Sequence, residues 1–573
     1  MTATDTPSVG GDQPELVPAS FGQRRMWFLN QADPGKPGYN GAACLGAHGP
    51  LDKEILRSCV RQLVRQHDVL RTRLVLPDGE LTQVIEPESV ADTVDLKVVD
   101  LSGRLGDLAA EADRLIDEEV AQPFDLTTDL PIRVLVVDLA IDEHIVVLTT
   151  HHAHVDDWSI LVLEWCLASW YLHFVSGTPA PRRPSARYAD YCARQHQFVG
   201  NDQWRRELDY WSAQLDGAPA RLEFHTEVGK SDSGDGRRDF GRRDYFALPA
   251  SFMRRLGALA EARESDLFSA TLAVFGVLLW RWTGNLDLPV GVPVTGRTPM
   301  EDSTVVGFFG NTVVARLRLN PELPFTAFLD QVHQVMAAAN ANQAVPFDAV
   351  VNQLRPRRKR GENPLFNTLF AMRLNRSTMR AGNVSFVPKA DRGGDTAIVD
   401  LMILLERRDD NYYGLVEYRT DIFDEESARR MTDDYSRLLA EITAAPGVPV
   451  GELAAARPLT EKKAVDQADE HTAGGGAYRP AETDLERTVS AIWQELLGMA
   501  DIGVNDDFVD LGGHSLLAAH VAMRVRERLA VAVPVSWFFD TPTIRGLAAD
   551  IQDRQCADAV PVAEGDFDRR GSR

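Results

Sequence analysis

Residues 144–171 read HIVVLTTHHAHVDDWSILVLEWCLASWY. The first seven, His144 to Thr150, are mostly β-branched and apolar, which predicts a strand. A second Val/Leu/Ile-rich run, Pro131 to Leu139, precedes them across Ala140-Ile141-Asp142-Glu143. The two runs predict a β-hairpin. From Trp158 to Tyr171 the pattern becomes helical. A polar corner, His151-His152-Ala153-His154-Val155-Asp156-Asp157, therefore lies between strand and helix. Loops held at strand ends are where catalytic groups collect. Neighbouring residues on an extended segment point to opposite sides. One of His151 and His152 can then face a cavity while the other braces the wall. Imidazole exchanges protons near neutral pH, and Asp156 is close enough to orient a histidine or to pair with an arginine.

Three readings of the corner compete. The plainest is a strand end with satisfied core histidines. Three His and two Asp within seven residues count against it. A second is a metal-dependent hydrolase. His152, His154 and Asp156 resemble the H-x-H-x-D-H signature of the metallo-β-lactamase fold, and imidazole and carboxylate suit zinc or iron. Asp157 replaces the last histidine there, and the remaining histidines lack the spacing of further ligands. The third reading depends on the rest of the chain.

Working outward, 573 residues are too many for one core and predict two to four units. Residues 1–18 are polar, with Gly, Thr and Pro, and lack the basic and apolar regions of a signal peptide. They are expected to be disordered. Residues 19–455 mix helix and strand patterns. Within them, Leu51 to Arg65 carries an apolar stripe of helical period. Residues 456–481 are rich in Gly, Ala and charge and read as a linker. Residues 482–552 are helical in period, and 553–573 form a polar tail expected to be disordered. No apolar run reads as long enough to cross a bilayer. The five cysteines are scattered without a CxxC pair, as in a cytoplasmic protein with reduced thiols. A net charge of −23 argues against a nucleic-acid groove binder, which needs a basic face.

The strongest local signal is Asp506-Asp507-Phe508-Val509-Asp510-Leu511-Gly512-Gly513-His514-Ser515-Leu516-Leu517. Gly512-Gly513 breaks the preceding structure, and Ser515 opens an amphipathic helix through Leu517, Val521 and Val525. A phosphodiester on a serine there would meet free N–H groups and a favourable dipole. The run resembles the peptidyl-carrier family, a small all-α four-helix domain. That resemblance implies that Ser515 receives a 4′-phosphopantetheine arm from coenzyme A through a phosphopantetheinyl transferase.

The corner itself resembles H-H-x-x-x-D-G, the signature of condensation domains of nonribosomal peptide synthetases, usually followed by Trp-Ser. His151 to Ser159 match except that Asp157 replaces the glycine. Further motifs follow in family order. Ser20-Phe21-Gly22-Gln23-Arg24-Arg25-Met26-Trp27-Phe28-Leu29 resembles the opening one, and Gln66-His67-Asp68-Val69-Leu70-Arg71-Thr72 resembles R-H-E-x-L-R-T. Tyr188-Ala189-Asp190-Tyr191, Val306 to Thr312, Asn342 to Asp348 and Asn363 to Phe366 complete the set.

The resemblance implies an α/β fold of two chloramphenicol-acetyltransferase-like lobes, 19–185 and 186–455, with a tunnel between them. It implies an amide-bond-forming transferase, with His152 central, His151 bracing and Asp156 paired to Arg71 or Arg297. Asn311, Trp158 and Ser159 are expected along the tunnel. Partners would be an upstream donor carrier, a stand-alone adenylation enzyme that loads Ser515 in trans, and possible tailoring enzymes. No metal, nucleic acid or membrane is implied. The Asp156-Asp157 ending also occurs in inactive relatives that recruit tailoring enzymes, but those replace the second histidine.

Overall fold

The computed structural model describes residues 13–32, 39–104, 106–226, 241–297, 300–356, 363–389, 397–456, 459, 479–497, 499–508, 511, 515–529, 531, 533 and 537–558. Contacts divide them into two units, whose bulk lies before and after residue 467.

The first unit opens with β1 (Glu15–Pro18), α1 (Phe21–Ala32), β2 (Asn40–His48), α2 (Lys53–Gln66), β3 (Thr72–Val75), β4 (Thr82–Ile85), β5 (Lys97–Asp100), α3 (Leu108–Val120), β6 (Ile132–Ala140), β7 (Glu143–His151), α4 (Asp157–Ser176) and α5 (Tyr188–Phe198). It continues with α6 (Asp202–Leu215), β8 (Gly241–Leu248), α7 (Ala250–Ala262), α8 (Leu267–Thr283), β9 (Asp287–Val294), β10 (Asn311–Arg318), α9 (Phe325–Ala341), α10 (Phe347–Leu354), β11 (Thr368–Arg376), β12 (Met379–Ala381), β13 (Val384–Pro388), β14 (Leu401–Arg408), β15 (Asn411–Arg419) and α11 (Glu425–Ala444).

Apolar residues on both faces of β6 and β7 fit a sheet covered on both sides. Val134, Val136, Val146 and Leu148 join a core with α2 and α4. Leu135, Val137, Ile145 and Val147 join another with α3. The expected hairpin is tighter than the spacing suggested. Ala140 pairs with Glu143, so only Ile141-Asp142 turn. The expected helix at 51–65 begins after Asp52, whose carboxylate accepts from Glu54 N and Ile55 N at 2.9 and 3.0 Å.

Two six-stranded mixed sheets follow, in the orders β12-β13-β2-β7-β6-β5 and β10-β9-β11-β14-β15-β8. These are the two expected lobes, but their boundary differs from 185/186. The hairpin β12–β13 leaves the second lobe and pairs with β2 of the first. Tyr188 and Cys192 of α5 also pack in the first core, as do Val305, Val306 and Phe309. The second core gathers α7, α8, α9 and α11 on its sheet. A separate small sheet, β1-β4-β3, corrects the expectation for residues 1–18. Glu15 to Pro18 form an edge strand on β4, since a neighbour's free ladder groups are there to be paired. Residues 1–12 lie outside the described residues.

The sequence suggested no run fit to span a bilayer, but α4 is long and apolar enough by composition. Its Ser159, Leu163, Cys166, Leu167 and Tyr171 are buried in the first lobe, as in a core helix.

Among the described residues, the second unit contains α12 (Asp484–Leu497), α13 (Ser515–Leu529), the short α14 (Trp537–Asp540) and α15 (Ile544–Asp558), the four helices expected. Thr483 and Glu486 form a capping box at α12, each side chain accepting from the other's N–H at 3.0 Å. Helix α15 runs to Asp558, which corrects the disorder expected from 553. Ile551, in the same core as Ile544 and Leu547, is its last residue recorded in that core. The expected linker lies almost wholly outside the described residues, as do Gly512 to His514 and 559–573.

Candidate functional site

The corner is built by two local devices. Strand β7 ends at His151, whose carbonyl accepts from His154 N and Val155 N at 2.9 and 3.2 Å. Asp156 then caps α4, its Oδ1 accepting from Ser159 N at 2.8 Å. The turn is short, so the histidines are fixed by backbone before any side chain acts.

Hydrogen bonds assign the two adjacent imidazoles opposite roles. A carbonyl can only accept, so His152 Nδ1, 3.0 Å from Val155 O, must carry the proton. Its Nε2 then holds a bare lone pair. His151 Nδ1 accepts from Ala153 N at 3.0 Å, so that ring carries its proton on Nε2. Burial pushes His151 down to about 2, and His154 and His152 add repulsion. His151 is a neutral brace packed near Phe124 and Tyr39. His152 is half-buried, and its backbone N–H donates to Tyr39 O. Gly41 of the neighbouring strand faces it, and a Cβ there would lie in ordinary contact, 3.6 Å from its Nε2.

Asp156 pairs with Arg297, not Arg71. Arg297 Nη2 donates to Asp156 Oδ1 at 2.9 Å and to Ser159 Oγ at 2.8 Å. Its Nη1 donates to Asp302 O and Val305 O, and its guanidinium lies 3.9 Å from the Phe309 ring centroid. Phe309 N donates to Asp156 Oδ2. Arg71 instead serves the loop after α2, donating to Asp68 and to Glu86 O. Its fork is filled locally, so it has nothing left for the corner.

Ser159 is fully buried, and its hydroxyl bridges Gly307 O, Gly307 N and Arg297. It ties the lobes together and cannot line a tunnel, which corrects the expectation. Trp158 is a second tie, its indole N–H donating to Ser303 O at 2.7 Å. Asn311 spends its amide on backbone. Its Nδ2 donates to Gln343 O and Val345 O, and its Oδ1 accepts from Phe347 N. Asp157 is more than half exposed and takes a 3.1 Å bond from Arg373 of β11. Surrounding protein pushes its pKa up, but Arg373, then His152, outweigh this and hold the carboxyl below its usual range. Sequence reading missed Gly307 and Phe309 as ties, although both sit in a motif it quoted. It missed Arg373, for which no local signal existed.

The metal reading fails on geometry. Asp156, the carboxylate that reading needs, is occupied by Arg297 and two backbone N–H groups. No group of three ligands fit for a metal exists among the described residues.

In the second unit, Phe508 is buried against Trp493 and Phe538, with centroids 4.7 and 5.3 Å apart. Its N–H donates to Pro542 O. This anchors the stretch that leads to α13, which begins at Ser515. A helix start offers unpaired N–H groups and a positive dipole end, so the position fits a phosphodiester.

Comparison with known proteins agrees with this architecture. A condensation-domain family model matches residues 13–464, and a phosphopantetheine-attachment-site model matches 487–551. Phosphinothricin tripeptide synthetase of Streptomyces viridochromogenes is 34% identical over 450 residues, 78% of this chain and 40% of that protein. Isonitrile lipopeptide synthase of Mycobacterium tuberculosis is 32% identical over 457 residues, 77% of this chain and 18% of that protein. The chain thus spans less than half the length of these relatives. The first condensation domain of the calcium-dependent antibiotic synthetase, in complex with a substrate analogue, shares the fold. Its TM-score is 0.67 at 22% identity, over 77% of this chain and 99% of that one. A four-domain nonribosomal peptide synthetase bound to AMP and glycine gives 0.65 at 21% identity, over 85% of this chain and 37% of that one. The chain belongs to the condensation-domain family of nonribosomal peptide synthetases and carries a phosphopantetheine attachment domain after it.

Proposed function

We propose that the first unit joins a donor acyl or peptidyl thioester to the amine of an aminoacyl group held on a carrier. The observation that carries this reading is the bare Nε2 of His152, aimed by the Val155 carbonyl. The amine attacks the thioester carbonyl, forming the C–N bond as the C–S bond breaks. His152 Nε2 takes the proton that the nitrogen sheds and returns it to the departing thiolate. A positioned base of this kind is worth roughly 10²–10⁴ in rate. Asp156 and Arg297 hold the corner rigid and do not touch the reactants. Asp157 is neutralised by Arg373, so its departure from the family glycine adds no uncompensated charge beside His152. That favours an active domain over one that only recruits tailoring enzymes.

Ser515 is the proposed attachment point of 4′-phosphopantetheine, which when bound supplies the thiol that carries the substrate. The family matches end at 464 and resume at 487, leaving no room between them for an adenylation domain. In this reading an adenylating partner outside residues 13–551 loads the arm, and an upstream carrier presents the donor.

Two measurements test this. Incubation with coenzyme A and a phosphopantetheinyl transferase adds one arm by intact mass, and Ser515→Ala abolishes the gain. With both carriers loaded, His152→Ala lowers amide formation by about 10² or more. Undiminished turnover in that variant removes His152 from the mechanism.

A further inference from the structure

Helix α4 turns two carboxylates toward the second lobe, Asp157 in its first turn and Glu164 seven residues on. Seven residues is close to two helical turns, so both lie on one face. Arg373 and Arg376 of β11 meet them. Residues three apart in a regular strand point to opposite faces. The register of β11 on β14 shifts between these two arginines. The irregularity re-aims Arg376, so both guanidiniums reach α4.

The two pairs differ in exposure. Glu164 and Arg376 are 3% and 2% exposed, with Glu406 3.6 Å from Arg376. Asp157 and Arg373 are 55% and 23% exposed. The inner pair is shielded from salt, and the outer pair is not. The outer pair also stands where the family motif has glycine, a residue that leaves room for close approach.

We propose that Asp157 and Arg373 form a bolt between the lobes beside His152, which sets the aperture and selects for acceptors with small side chains. The buried Glu164–Arg376 pair is the fixed pin. The choice of acceptor as the excluded substrate rests on the condensation reading; the geometry of the bolt does not.

The test compares the full chain with Asp157→Gly, Arg373→Asp and the exchange Asp157→Arg with Arg373→Asp. Asp157→Gly restores the residue of the family motif, so folding is retained. The probes are glycyl and tryptophanyl amides of aminopantetheine, with binding followed by calorimetry. Amide formation from carriers loaded with the same residues is measured in parallel. Asp157→Gly is expected to raise the tryptophanyl-to-glycyl ratio about tenfold in both assays. The exchange variant returns the ratio toward wild type, and added salt moves wild type toward Asp157→Gly. A flat ratio in Asp157→Gly, or an exchange variant no better than Arg373→Asp alone, overturns the bolt. A shifted binding ratio without any amide formation keeps the bolt and removes the condensation reading. A flat ratio with His152-dependent amide formation does the reverse.

Discussion

His151 and His152 are covalent neighbours that hold their protons on opposite ring nitrogens. Each assignment comes from one backbone partner, an amide N–H for His151 and a carbonyl for His152. The sequence reading gave the two side chains opposite directions from the alternation of an extended chain, but not the ring nitrogen that holds each proton. It could not assign Arg297 over Arg71, because that choice depends on a loop 141 residues away. Removing one partner of such a buried pair leaves the other's charge uncompensated. Arg297→Ala is expected to cost about 3–5 kcal/mol in a urea titration.

Three buried histidines add a pH dependence. Burial lowers His67 and His154 to about 3 and His151 to about 2, from an ordinary 6.5. Between those limits the unfolded chain binds protons that the folded chain refuses. Their contribution is therefore complete above about pH 6.5 and falls as pH drops, by about 1.4 kcal/mol per unit for each histidine. Denaturant midpoints measured from pH 7 to pH 4.5 should show that slope. His154→Asn should flatten it by one histidine's share.

Among elements, α2 and α12 were legible because their signals are local. Each shows an apolar stripe of helical period, whereas the caps at Asp52 and at Thr483 with Glu486 emerge only in the structure. The pairing of α4 with β11 was not legible. It needs a strand irregularity, and Arg373 with Arg376 give no periodic clue. Their buried member makes a prediction of its own. Glu164→Gln takes the nearer carboxylate from Arg376 while Glu406, at 3.6 Å, and the Lys389 carbonyl remain, so the loss should approach the lower bound for a broken buried pair, about 3 kcal/mol. Asp157→Gly, at an exposed pair, should cost less than about 1 kcal/mol. Urea midpoints of the two variants should therefore separate clearly.

For the whole molecule, the two-lobe architecture followed from motif order, but the boundaries did not. Strand exchange between lobes is non-local, and nothing in 379–388 advertises its destination. The carrier unit is different. Among the described residues its core runs from Val489 to Ile551, with partly buried neighbours from Ala481. A fragment spanning 479–558 should therefore melt cooperatively by circular dichroism and accept the arm in the mass assay. Loss of either property would mean that its core depends on the rest of the chain.

The β12–β13 hairpin bears on how such chains can be recombined. A genetic crossover placed between the lobes would inherit the first sheet from one parent and its two outermost strands from the other. The foreign hairpin would then have to match β2 in register, from Ser385 opposite His48 to Pro388 opposite Leu45. Chimaeras that carry 379–388 along with the first lobe's parent should yield more folded protein than those divided at the linear midpoint. The heritable module is thus a discontinuous one.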